Sequence, residues 1–167
     1  MMLATAKSFR ADFDREVIRW GAEIARISAT TDEEKLEIVL TNGVVSGQAA
    51  PLKKYMVNGV ARRSIDFVGV LRAVLFWPED LEIVTDSPSI RRKYLDTVLV
   101  QSDREYRRNL LSYERGVRQR NKLLDLISEG SASRSQLLFW DQLLIKAGGY
   151  ITEKRASYIA FVNATSL

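Results

Sequence analysis

The spacing of apolar residues changes near the middle of the chain, and this change most constrains the fold. In the first half, Leu36, Ile38 and Leu40 recur at every second position, as in a strand with one buried face. In the second half, apolar residues recur every three or four positions, as they do along one face of a helix. The sequence therefore predicts an α+β or α/β chain, with β-rich residues 1–87 followed by helical residues 88–167.

The first half is expected to form a small antiparallel meander attached to an α/β core. Asn42-Gly43 is a favoured pair for a two-residue hairpin turn, because both residue types tolerate a positive φ. A nearly continuous apolar run follows later, and it predicts a strand buried on both faces. The predicted strands are 18–30, 34–40, 44–46, 52–57 and, for the apolar run, 70–76.

The second half is expected to form three helices, of which the last two are long and antiparallel. Ser87 and Pro88 suit the cap and the first turn of a helix, and Gly130 with its neighbouring serines suits a link between helices. The predicted helices are 88–100, 103–128 and 135 to beyond 162. The buried face of the middle helix is predicted at Tyr106, Leu110, Tyr113, Val117 and Leu124, packed against Leu138, Leu144 and Ile151.

Composition excludes several classes of site. The chain has no cysteine and no histidine, so a disulfide framework, a thiolate zinc site and histidine-dependent nucleophilic catalysis are excluded. The sequence contains no stretch of about 18 apolar residues, which argues against a membrane-spanning helix. A cytoplasmic protein without membrane association is therefore expected.

Positive charge is concentrated in one segment. The net charge of the chain is +4, yet residues 91–122 alone hold 10 Lys and Arg against 4 Asp and Glu. A concentrated patch attracts polyanions more strongly than the same charge spread evenly.

Five cations of the middle helix share one predicted face. Their spacings of four, seven, three and four residues place them in a single row. Guanidinium groups bind phosphate through paired hydrogen bonds and displace counterions, so this row predicts contact with a DNA backbone. The alternative is a solvated helix face that binds nothing. The row, called the basic stripe below, consists of Arg104, Arg108, Arg115, Arg118 and Lys122.

Arg91, Arg92 and Lys93 form a second basic cluster, in the first turns of the preceding helix. They are candidate DNA contacts. Arg92 and Asp96 are also spaced for an ion pair within the helix, so a structural role is the alternative.

A set of short motifs resembles the RecF family of DNA replication and repair proteins. The set comprises Pro78-Glu79-Asp80-Leu81, Arg91-Arg92, Leu95-Asp96 and Arg118-Gln119-Arg120-Asn121. The resemblance implies an SMC-like, ABC-type ATPase head in which residues 1–87 are part of lobe I and residues 88–167 are the helical lobe II. It also implies that Glu79 or Asp80 acts as a Q-loop-like nucleotide sensor. The alternative for these two residues is a helix N-terminus, since acidic residues after proline complement the helix dipole.

The resemblance also implies what an intact protein does and what this chain lacks. A phosphate-binding loop requires Gly-x-x-x-x-Gly-Lys-Ser/Thr, and Lys7-Ser8 is preceded by no glycine. The chain is therefore expected to be an internal fragment that holds no cofactor and does not hydrolyse ATP. The intact family implies a weak ATPase that binds ATP and Mg²⁺, forms an ATP-dependent homodimer, binds DNA at gaps or junctions, and acts with mediators such as RecR in recombinational gap repair. The alternative is a non-catalytic module, derived from an SMC-like head, that binds DNA or a protein.

Overall fold

The computed structural model describes residues 1–76, 78–85 and 87–165, without the side chain of Glu79. The chain divides into two compact units, the first comprising residues 1–87 and 100–102 and the second residues 88–99 and 103–167. The strands are β1 (Ile24–Thr30), β2 (Lys35–Thr41), β3 (Val44–Val45), β4 (Gln48–Ala49), β5 (Lys53–Val57) and β6 (Val60–Arg62). The α-helices are α1 (Met2–Thr5), α2 (Ser64–Phe67), α3 (Glu82–Thr85), α4 (Pro88–Ser102), α5 (Arg104–Ser128) and α6 (Leu137–Thr165). Short 3₁₀ helices occupy Asp14–Val17, Pro78–Leu81 and Arg134–Gln136.

The core of the first unit lies on one face of an antiparallel sheet with the strand order β1-β2-β5-β6. Leu36, Ile38 and Leu40 of β2 are completely buried, because alternate residues of a strand face the same side. The buried ring of Phe67 packs on Tyr55 of β5, with ring centroids 5.2 Å apart. The alternation in the sequence therefore marks the buried face of a central strand.

The segment between β2 and β5 differs from the prediction. β2 pairs with β5, while β3 and β4 pair with each other in a small separate hairpin. Its turn lies at Ser46 and Gly47, whose φ angles of 50° and 78° suit a two-residue hairpin loop. The predicted turn at Asn42-Gly43 is wrong, and the Asn42 amide instead donates a hydrogen bond to the Ala22 carbonyl over 3.3 Å.

Residues 70–76 form no strand, so the predicted strand buried on both faces is wrong. The side chain of Val74 is 99% exposed, and the N–H of Ala73 donates to Gln101 Oε1 over 2.8 Å. A strand buried on both faces needs neighbouring strands and covering layers. Within the described residues, the four-stranded sheet ends at β1 and β6. The first predicted strand is also shorter than expected, since β1 begins at Ile24.

Helices α5 and α6 run antiparallel and form the body of the second unit. Asp103, which precedes α5, lies 3.4 Å from Lys154 near the end of α6. Arg120, further along α5, lies 2.7 Å from Asp141 near the start of α6. An antiparallel sheet followed by a helical region with two long antiparallel helices confirms the predicted fold class.

The buried face of α5 differs from the prediction in part. Tyr106 is completely buried as predicted, but Leu123 is 9% exposed whereas Leu124 is 38% exposed. Gly116 is also buried, and a Cβ at that position would lie 2.8 Å from Leu143 Cδ2. The two helices therefore approach closely at a residue that contributes nothing to an apolar pattern, and this explains why the pattern missed it.

Candidate nucleic-acid interface

The basic stripe lies on the exposed side of α5. Its five members, namely Arg104, Arg108, Arg115, Arg118 and Lys122, are all exposed. Tyr106, Gly116 and Leu123 are buried, and the helical repeat places them on the other side of the helix. The predicted grouping of five cations on one accessible face therefore exists in the folded chain.

Among the described residues, most of the basic stripe has no carboxylate partner, in contrast to Arg120 on the same helix. Arg120 pairs with Asp141, and Arg107 is only 7% exposed. These two arginines of α5 therefore contribute to contacts within the second unit. Within the part of the chain that the structure describes, the other members of the stripe have no carboxylate oxygen within 4 Å; they are Arg108, Arg115, Arg118 and Lys122. Cations without counter-charges repel one another and favour an added anion.

A polar cluster of Asp96, Tyr106 and Arg155 connects α4, α5 and α6, and we call it the interhelical cluster. One guanidinium nitrogen of Arg155 lies 2.8 and 2.9 Å from the two Asp96 oxygens, and its Nε donates to Tyr106 Oη over 3.1 Å. The Tyr106 hydroxyl donates to Asp96. Burial raises the pKa of Tyr106, and the hydrogen bond to Asp96 raises it further. The cluster fixes the rotation of α5 and therefore the direction in which the basic stripe points.

Sequence reasoning missed the interhelical cluster because its partners are far apart. Asp96 and Arg155 are 59 residues apart in the chain, and no local spacing relates them. The apolar pattern predicts that Tyr106 is buried, but it carries no signal for the partners of the Tyr106 hydroxyl.

Asp103 holds the start of α5. Its carboxylate accepts the N–H groups of Glu105 and Tyr106 at 2.8 and 2.9 Å, and it lies 3.3 Å from Tyr150 Oη and 3.4 Å from Lys154 Nζ. Burial by itself would raise the pKa of Asp103, but these backbone N–H groups and the Lys154 ammonium lower it below its usual value. The first turn of the helix is therefore held through its backbone and through α6.

The second basic cluster lies on the surface of α4. Arg91, Arg92 and Lys93 are all exposed. The ion pair predicted between Arg92 and Asp96 does not form, because Arg155 contacts both carboxylate oxygens of Asp96. The predicted Arg92–Asp96 pair is therefore wrong, whereas a structural role and a DNA contact of this cluster both remain predictions.

The predicted sensor residues lie in the 3₁₀ helix Pro78–Leu81, which leads directly into α3. Asp80 is partly buried, whereas the side chain of Glu79 lies outside the described residues. A helix start is the arrangement expected from acidic residues after proline. The sensor role remains a prediction.

Two other kinds of site are absent from the described ranges. Within them, no three or more acidic side chains are grouped so that they could hold a metal ion. No helix there is long and apolar enough to cross a membrane.

Two solved structures of a recombination mediator protein have this architecture. The structure of "the recombination mediator protein RecF-ATPrS in RecFOR pathway" matches with a TM-score of 0.80 and 31% identity, covering 95% of this chain and 43% of that one. The corresponding RecF-ATP structure matches with a TM-score of 0.79 and 31% identity. No protein-family model matches the chain. The chain therefore has the fold of part of a RecF-type, SMC-like ATPase head.

Curated relatives identify the family. The DNA replication and repair protein RecF of Thermomicrobium roseum is 42% identical over 172 residues, which covers 95% of this chain and 43% of that protein. RecF of Herpetosiphon aurantiacus is 40% identical over 171 residues and covers 92% of this chain and 44% of that protein. The chain belongs to the RecF family, which confirms the resemblance inferred from its motifs, and it spans less than half the length of these relatives. Since the chain matches a region of RecF, an independent non-catalytic module is not favoured.

Proposed function

We propose that this chain contributes a DNA-backbone contact to a RecF-type DNA replication and repair ATPase. The observation that carries the proposal is the basic stripe, five exposed cations on one helix face, most of them without a carboxylate partner among the described residues. Arginine and lysine bind phosphates without regard to base identity, and they position a protein on DNA. The second basic cluster, Arg91, Arg92 and Lys93, is proposed as an additional backbone contact.

The remaining roles belong to the intact protein in this proposal. Residues 1–87 are assigned to lobe I and residues 88–167 to lobe II, with Glu79 or Asp80 as the nucleotide sensor. The intact protein forms an ATP-dependent homodimer, binds DNA at gaps or junctions with RecR as a partner, acts in recombinational gap repair, and is cytoplasmic. The names of the relatives and of the structural neighbours support the part in DNA replication and repair and the RecFOR pathway, and the other assignments rest on the family resemblance alone.

ATP and Mg²⁺ are likewise assigned to the intact protein and not to residues of this chain. The Lys7-Ser8 pair does not fit a phosphate-binding loop, because the Ser8 hydroxyl accepts the N–H groups of Arg10 and Ala11 at 3.2 and 3.0 Å and closes a local turn. Isothermal titration of the chain with Mg-ATP is expected to show no binding. Micromolar affinity would contradict this part of the proposal.

The test of the DNA contact compares two charge-matched triple variants. The stripe variant carries Arg115→Ala, Arg118→Ala and Lys122→Ala, and Arg108 is left intact. The control variant removes three exposed cations of the first unit, through Arg19→Ala, Lys54→Ala and Arg62→Ala. Fluorescence anisotropy with two duplexes of unrelated sequence at low salt is expected to show about a tenfold weakening by the stripe variant for both duplexes, and little change with the control. Equal losses for both variants would show that only net charge matters.

A further inference from the structure

A surface groove of 480 Å³ lies between α5 and α6, next to the basic stripe. Arg108 and Ser112 line it from α5, and Phe139, Gln142 and Lys146 line it from α6. None of its eight lining residues is acidic. One member of the basic stripe, Arg108, therefore belongs to both the helix face and the groove.

The groove combines cations with an exposed aromatic ring. The side chain of Phe139 is 62% exposed, and its ring meets Trp140 edge-on with centroids 4.9 Å apart. Within the described ranges, neither Arg108 nor Lys146 has a carboxylate oxygen within 4 Å. Proteins bind single-stranded nucleic acid with a positively charged groove beside an aromatic side chain on which a base stacks.

Only the fold brings these groups together. Because the helices are antiparallel, Arg108 near the start of α5 and Phe139 near the start of α6 line opposite ends of the groove, with Lys146 between them along α6. The sequence shows no aromatic residue interleaved with the cations of the stripe, so the combination was not visible from residue order. A paired base in a duplex is stacked on both faces and cannot lie on Phe139, whereas an unpaired base can.

We infer that the groove is a subsite for a short unpaired strand, with one base stacked on Phe139 and phosphates of the same strand held further along the groove by Lys146 and Arg108. Gln142, three residues after Phe139 on α6, supplies hydrogen-bonding groups beside the base. This inference rests on the proposed function, because it extends the DNA contact of the basic stripe into the groove. It gives that contact a preference for unpaired over paired DNA at one position.

The test uses the full chain and three labelled probes of equal length, namely a single strand, the same strand with abasic residues in place of its bases, and a duplex. Phe139→Ala should weaken binding of the normal single strand about fivefold or more, which is the lower end of what one base–aromatic stack contributes. Phe139→Ala should change binding of the abasic strand and of the duplex by less than about twofold, since neither places a base on the ring. Ile145→Ala, which removes another exposed apolar side chain of α6, is the matched control and should have no effect.

The outcomes separate the subsite from the backbone contact. Lys146→Gln should weaken both forms of single strand, because it acts on phosphate. The subsite is overturned if Phe139→Ala weakens binding of the normal and abasic strands equally, or if it affects neither. It is also overturned if Ile145→Ala weakens binding as much as Phe139→Ala does, since that result would indicate a general apolar surface. A further outcome is that the stripe variant binds the duplex as tightly as the parent chain does, while Phe139→Ala still weakens binding of the single strand. In that case the proposed backbone contact fails and the subsite stands. If the parent chain binds no probe, both proposals fail.

Discussion

Replacing Arg155 with methionine should destabilise the second unit by about 2–3 kcal/mol. The guanidinium makes three hydrogen bonds to Asp96 and one to Tyr106, at 2.8–3.1 Å, and the Arg155 and Asp96 side chains are each 22% exposed. Methionine can follow the path of the arginine stem, but it leaves the carboxylate and the tyrosine hydroxyl without their cation. Losing one partner of a fully buried ion pair costs about 3–5 kcal/mol, and partial exposure to water reduces that cost.

Chemical unfolding followed by far-UV circular dichroism measures this loss. A change of 1 kcal/mol shifts the melting temperature by about 2–4 °C in a chain of this size, so a drop of about 5–10 °C should accompany it. Adding Asp96→Leu to Arg155→Met removes the unpaired charge, so the double variant should lose at least about 1 kcal/mol less than the sum of the two single variants. Arg134→Met, at an exposed position in a 3₁₀ helix, is the control and should stay within about 0.5 kcal/mol of the parent. Additive single variants would refute the coupling that we assign to the interhelical cluster.

Three further predictions concern the packing and the cap of α5. Gly116→Val should cost about 1–3 kcal/mol in chemical unfolding, because even a Cβ would lie 2.8 Å from Leu143; an unchanged midpoint would show that the helices do not approach so closely. Leu123→Ala should cost about 2–5 kcal/mol and the half-exposed Leu124→Ala clearly less, and the reverse order would support the buried face predicted from sequence. Asp103 has a lowered pKa in the folded chain. Its stabilising effect is therefore complete above the unfolded pKa of about 4 and is lost as the pH falls through the folded pKa. Asp103→Asn should flatten the acid limb of a plot of unfolding free energy against pH, and an unchanged acid limb would contradict this.

The predictable parts of the fold are those whose residues recur at a regular spacing in the sequence. Leu36, Ile38 and Leu40 alternate because one face of β2 is buried, and the long helix beginning after Asp103 shows both an apolar face and a row of cations. These patterns depend only on neighbours within a few residues. The basic stripe could be read in the same way, since its five members come from one helix.

The parts that were not predictable depend on residues distant in the chain. The run 70–76 is apolar enough for a buried strand, but its burial depends on strands that do not pair with it in the described part of the fold. The spacing predicts that Asp96 pairs with Arg92, yet Asp96 pairs with Arg155 of α6 instead. The groove beside Phe139 exists only because α5 and α6 pack against each other, and neither helix predicts it alone.

The salt dependence of duplex binding tests the central claim most directly. Each phosphate contact contributes about 0.9 to the slope of log K against log salt concentration. If Arg115, Arg118 and Lys122 each contact a phosphate, their joint replacement by alanine should reduce the magnitude of that slope by about 3, whatever the duplex sequence. The charge-matched control variant of the first unit should keep the parent slope. A stripe variant with the same slope as the parent would show that these cations form a solvated face and not a DNA contact.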